Sequence, residues 1–259
     1  MRLRQICLVA PELEPAVDEL TAVLGLAICY RDDAVEKYGL VNAVLPVGSS
    51  FLEVVAPTRP ETAAGRYLAR RGGTGGYMVI IDTPDIAAAE RHVAALGVRV
   101  ANPTAHGDEY RGLQLHPRDT GGALLELNWT RGGESLTGPY HPAGPEWQHH
   151  VRNDTTASLR AAELQSDDPP TLAARWARIL DRALAADVDG VPRIKLDVGT
   201  LRFVRATDGR GEGLGGIDVE VSDPASVRAS AVSRGHAVGP DHITLCGTRI
   251  RLVEKGRSA

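Results

Sequence analysis

The sequence predicts an α+β chain built from four β-α-β-β-β units. Three observations carry this. Four times, an acid at the end of an apolar strand opens a helical stretch: Glu12, Asp85, Asp168 and Asp223. Glu53 and Glu126 lie 73 residues apart, the same offset that separates Glu12 from Asp85, so each falls 41 residues beyond a helix-start acid. The Gly- and Pro-rich stretch from Arg131 to Asp154, poor in apolar residues, separates the second unit from the third.

The first unit opens with a strand at Leu3–Ala10. Leu13, Val17, Leu20 and Leu24 recur at helical spacing, and Gly25 is placed to cap that helix. Strands are expected at Leu26–Tyr30, Val41–Leu45 and Phe51–Val55. Arg70–Gly76 reads as a flexible crossover. In the second unit, strand Tyr77–Asp82 precedes a helix with Ile86, Ala89, Val93 and Leu96 on its apolar stripe. Val98–Ala101 is the next strand, and a hairpin joins Leu113–His116 to Ala123–Trp129. The third unit runs from Leu159 to Arg205 and the fourth from Ile217 to Val253. The domains expected are 1–130, a linker at 131–154, and 155–259.

Composition narrows the function. The chain has 259 residues, with 29 Lys and Arg against 33 Asp and Glu. This mild acidity, with only 11 aromatic rings, argues against a nucleic-acid partner. No apolar run approaches the roughly 20 residues of a membrane helix. The three cysteines form no CxxC pair, which predicts a reducing, cytoplasmic setting. Gly211–Gly216 precedes a strand instead of opening a helix, so no nucleotide cofactor is expected.

The repeat, together with Phe51-Leu-Glu53-Val-Val and Leu124-Leu-Glu126-Leu-Asn, resembles the vicinal oxygen chelate superfamily of glyoxalases, epimerases, extradiol dioxygenases and bleomycin-resistance proteins, in its glyoxalase-like domain branch. The segment from His116 to Leu127 is also similar to the last hairpin of methylmalonyl-CoA epimerases. The resemblance implies two tandem curled-sheet bowls, each an eight-stranded open barrel made from two units. It also implies a ligand site in the first bowl. In metal-dependent members the first-strand ligand stands seven residues before the helix-start acid, and those positions hold Gln5 and Met78 here. The last-strand ligands correspond to Glu53 and Glu126.

Gln5, Glu53 and Glu126 are therefore the candidate metal ligands, for Zn, Ni, Mn or Mg, and Glu53 and Glu126 the candidate catalytic acid/base pair. Met78 supplies a thioether where relatives place a harder donor. The alternative is a metal-free polar pocket in which the glutamates pair with arginine or with groups such as Asn42. Asn42, Met78, His116 and Trp129 are candidate substrate contacts. Counting the second hairpin about Asp119 and Thr120 places His116 opposite Ala123, at the rim. His141, His149 and His150 read as solvent-facing unless that segment folds over the bowl. The C-terminal bowl holds no ligand set. Arg202, Arg205, Arg249 and Arg251 there read as solvated strand faces or as an anion-binding wall.

The function expected is a lyase or isomerase acting on a substrate with adjacent oxygens, a 2-oxo or 2-hydroxy acid or its thioester. The competing reading is a metal-free small-molecule binding protein of the bleomycin-resistance type. The partners expected are a small molecule and a second copy of the chain.

Overall fold

The computed structural model describes residues 1–256. Two mixed seven-stranded sheets organise the chain. The first has the order β2-β3-β1-β4-β7-β6-β5, and the second β13-β14-β12-β8-β11-β10-β9. The strands of the first sheet are β1 (Arg2–Val9), β2 (Leu40–Val47), β3 (Ser50–Pro57), β4 (Gly75–Asp82), β5 (Val100–His106), β6 (Tyr110–Leu115) and β7 (Leu124–Thr130). Those of the second are β8 (Thr156–Ser166), β9 (Leu184–Ala186), β10 (Pro192–Lys195), β11 (Thr200–Arg205), β12 (Gly213–Val221), β13 (His242–Leu245) and β14 (Thr248–Glu254). No helix among the described residues is long and apolar enough to cross a membrane.

The repeats are unequal. The second keeps every strand: β4, helix α3 (Ile86–Ala95), then β5, β6 and β7. The third does the same with β8, helix α5 (Pro169–Leu180), β9, β10 and β11. The first has helix α1 (Leu13–Leu24) followed only by β2 and β3, and the fourth has helix α6 (Pro224–Ser233) followed only by β13 and β14. In these two the missing strand survives as a single bridge, Tyr30 to Val44 and Val238 to Ile243. The strand expected at Leu26–Tyr30 is thus absent, and each sheet has seven strands where the resemblance implies eight. The expected crossover at Arg70–Gly76 is also mostly regular. Helix α2 (Ala63–Arg71) covers its start and β4 its end, and its cap Gly72 adopts a left-handed φ of 73°.

The acids that announce the helices act as caps. Asp85, Asp168 and Asp223 each accept from a backbone N–H in the first turn, at 2.8, 3.2 and 2.9 Å respectively. Glu12 makes no such bond, and α1 relies instead on its buried stripe of Leu13, Val17, Leu20 and Leu24.

The chain packs as two compact units. One holds 1–5, 77–141 and 161–215, and so contains most of the two complete repeats. The other holds 6–76, 142–160 and 216–259, with the two shortened ones. In the first unit α3 packs on β6 and β7. Alternation along the strands presents Leu125 and Leu127, with Leu113 and Leu115, to one face. In the second unit α1 packs on β2 and β3. There Trp147, from the Gly- and Pro-rich stretch, is buried and meets Phe51 edge-on with centroids 5.0 Å apart.

Candidate active site

Glu126 lies on β7, where register sets its neighbours. Gln114 on β6 and Ile80 on β4 stand directly beside it. One step along, Asn128 faces Gly112 and Leu124 faces Met78. These residues share one side of the sheet, opposite the leucine face. Glu126 is 9% exposed, and its Oε1 accepts the Tyr110 hydroxyl at 3.0 Å. Burial, then the Glu126 charge, push the Tyr110 phenol well above its ordinary range, so it stays protonated; hydrogen bonding from Asn128 pulls the other way. His141 stacks on the Tyr110 ring at 5.0 Å, and His106 on β5 lies 4.3 Å from His141. His141 thus touches the Tyr110 ring while remaining exposed to solvent.

A second set of buried polar groups continues from Asn128. Its Nδ2 donates to the Tyr140 hydroxyl at 3.1 Å. The Arg4 guanidinium lies 4.7 Å from the centre of the Tyr140 ring and 3.8 Å from Asp82. Arg2 donates to Asp82 at 2.8 Å and also reaches the Gly133 carbonyl. Burial lowers Arg4 to about 10, with help from Arg2. Burial also raises the Asp82 carboxyl against the pull of both arginines. Tyr110, Asn128, Tyr140, Arg4 and Asp82 were not among the sequence candidates, because their association depends on register and on the return of the 131–141 segment.

In the other unit, Glu53 on β3 is 8% exposed and faces Val44 on β2. Its Oε1 accepts from Asn42 Nδ2 at 2.7 Å, while Asn42 Oδ1 accepts from the Asp32 N–H at 2.8 Å. Asn42 also borders a cavity of about 310 Å3, with Leu13, Glu14, Arg31 and Asp32. The bond from Asn42 to Glu53 matches one of the alternatives open in the sequence.

The other candidates are dispersed. Gln5 is buried in β1, and alternation sends it to the side opposite Arg4. Trp129, three residues from Glu126, points to the opposite face of β7. It borders a cavity of about 220 Å3 with Arg2, Asp82, Pro84 and Leu136. His116 caps α4 (Pro117–Thr120), its Nδ1 accepting from the Arg118 N–H at 3.2 Å. The connection is thus a turn of helix instead of a tight hairpin. The pairing Gln114 to Glu126 differs by one residue from a count centred on Asp119 and Thr120. Of the C-terminal arginines, Arg205 is exposed, while Arg202 meets Glu163 at 3.0 Å and the part-exposed Arg251 meets the buried Asp218 at 3.3 Å.

A divalent cation requires several hard oxygen donors, or nitrogen and thiolate donors for zinc. Beside Glu126 the same face offers the Met78 thioether, the Gln114 amide, whose nitrogen points at Met78 Sδ from 3.8 Å, and a phenol already donating to the carboxylate. Among the described residues no three His, Cys, Asp or Glu side chains gather closely enough to hold a metal ion. This donor set does not fit a Zn, Ni, Mn or Mg centre at Glu126.

What the Glu126 pair does fit is proton transfer. A hydroxyl donates to a carboxylate and, once rotated, accepts from a carboxylic acid, so Glu126 keeps a partner in both protonation states.

The family model described as glyoxalase-like domain matches residues 6–180. Mitochondrial methylmalonyl-CoA epimerase from Mus musculus is 26% identical over 130 residues, covering 49% of this chain and 71% of that protein. The Homo sapiens counterpart is 25% identical over 132 residues, covering 49% and 72%. A hypothetical protein from Staphylococcus aureus superposes with a TM-score of 0.66 at 13% identity, over 98% of this chain and 99% of its own. A variant of 4-hydroxymandelate synthase from Streptomyces coelicolor gives 0.68 at 15% identity, over 91% and 75%. At those identities the structural likeness shows the fold alone, the paired-repeat vicinal oxygen chelate fold. The family match spans well over half of the sequence, and the chain belongs to the glyoxalase-like domain family.

Proposed function

We propose that this protein is an isomerase that moves a proton on the carbon beside a carbonyl, with Glu126 as the acid/base. The observation that carries the reading is the hydrogen bond from Tyr110 to the buried Glu126. The phenol stabilises the carboxylate, which takes the proton, and then accepts from the acid that results. Met78 and Gln114 form the wall beside it, and no step requires a metal.

The substrate class is a carbon acid whose carbonyl has a second oxygen nearby, a 2-oxo acid or an acyl thioester of a branched dicarboxylic acid. Support for the thioester comes from the curated relatives, named as methylmalonyl-CoA epimerases. Glu53, held by an amide, is proposed as a fixed anion and not as the proton carrier.

The test is solvent exchange. Chelator-treated protein is incubated in D2O with methylmalonyl-CoA and a panel of acyl-CoA thioesters and 2-oxo acids, and deuterium uptake is read by mass spectrometry. The proposal expects uptake into at least one member, undiminished by the chelator and abolished in Glu126→Gln. Folded protein that exchanges none of them at millimolar concentration contradicts it.

A further inference from the structure

We infer that Gly112 is a positioning residue whose missing side chain lets the Tyr110 hydroxyl reach Glu126; this rests on reading Glu126 as the acid/base. Gly112 faces Asn128 across β6 and β7, one step beyond the pair Gln114 and Glu126. Tyr110 is one step further again, opposite Thr130. Its ring must therefore lie back along the sheet, over Gly112, to reach Glu126.

The space for this is the missing side chain. A Cβ at position 112 would stand 2.5 Å from Thr104 Oγ1, 2.9 Å from the Tyr110 hydroxyl and 3.2 Å from Glu126 Oε1. Both atoms of the hydrogen bond crowd that point. Gly112 is not among the positive-φ glycines, so the backbone does not require glycine here; the cleared volume does.

Across from Gly112, Asn128 is fully buried and its amide nitrogen donates to the Tyr140 hydroxyl at 3.1 Å. The Asn128 carboxamide oxygen is buried with no hydrogen-bond partner among the described residues. Such an oxygen is costly to leave unsatisfied. The other titratable groups around Tyr110 and Glu126 are His106 from β5, His141 and Tyr140 from the segment after β7, and, beyond Tyr140, Arg4 and Asp82.

The experiment follows the Glu126 carboxyl directly in the full chain labelled with 13C-carboxyl glutamate, its resonance identified by its disappearance in Glu126→Gln. A hydrogen bond to a charged group corresponds to a midpoint shift of about one pH unit. Tyr110→Phe and Gly112→Ala should each raise the midpoint by that amount. Tyr110→Phe combined with Gly112→Ala should raise it no further than Tyr110→Phe alone. Gly112→Ala combined with Thr104→Ala, which removes the oxygen nearest the added Cβ, carries the test if Gly112→Ala alone fails to fold. An unmoved midpoint in a folded variant, or shifts that add, overturns the inference. Wild type that exchanges no substrate proton while showing this titration pattern overturns the isomerase reading and supports the positioning.

Discussion

Glu126 and Glu53 hold corresponding places in the second and first repeats, both nearly buried, yet their partners differ in kind. Glu126 receives a phenol hydroxyl; Glu53 receives a carboxamide N–H whose own oxygen is tied to the backbone at Asp32. The hydroxyl can reverse its role when the carboxyl gains a proton. The amide nitrogen cannot accept, so it favours the carboxylate only. Two positions related by one repeat are thereby suited to different tasks, proton transfer in one and a standing negative charge in the other. The surroundings differ as well. The unit with Glu126 buries Arg2, Arg4, Asp82, Asn128 and Tyr140, while the unit with Glu53 sets Phe51 against Trp147 on the same side of β3.

The hardest way to break the contrast is to remove the charge that holds the polar unit together. Asp82→Asn takes the shared carboxylate from two buried guanidiniums, and should cost about 3–5 kcal/mol in urea unfolding. Asn42→Ala, which removes an amide from the other unit, should cost about 1–3 kcal/mol.

Tyr110→Phe should slow exchange about tenfold and move the acid limb of the rate profile upward. The sign follows from the loss of a donor to the carboxylate form. Asn42→Leu should leave that limb in place.

Alkaline stability sharpens the same comparison. Burial raises the Tyr110 and Tyr140 phenols in the folded chain above the value of about 10 they recover on unfolding. A raised pKa contributes stability fully below the unfolded value, and that contribution is lost as pH rises through the folded one. Unfolding free energy should therefore fall above about pH 10, and fall less in Tyr140→Phe measured against its own neutral-pH value.

The smallest effect belongs to His116→Ala. It removes a helix cap and should cost about 1 kcal/mol or less, with exchange unchanged. A large loss of exchange there would restore His116 as a substrate contact.

The repeat was legible because strand ends, caps and the 73-residue offset are local or periodic features of the sequence. Glu53 and Glu126 followed from it. Their partners did not. Tyr110 meets Glu126 only through a register that a helical turn at Pro117–Thr120 shifts by one from the symmetric count, and one residue changes which side chains share a face. Tyr140 and Trp147 fell in a stretch read as a linker from its glycines and prolines. In a chain with only 11 aromatic rings, two within that stretch were the available sign that it packs. Leu26–Tyr30 had strand composition, but it makes only a single bridge, and composition does not reveal the missing pairing.

The most direct test of the contrast compares Glu126→Gln with Glu53→Gln in one deuterium-exchange assay on the best substrate of the panel. General acid/base catalysis contributes about 10²–10⁴-fold, so Glu126→Gln should lose that much, and Glu53→Gln less than about tenfold. Equal losses in the two, or a larger loss in Glu53→Gln, would contradict the assignment of proton transfer to the phenol-bound carboxylate.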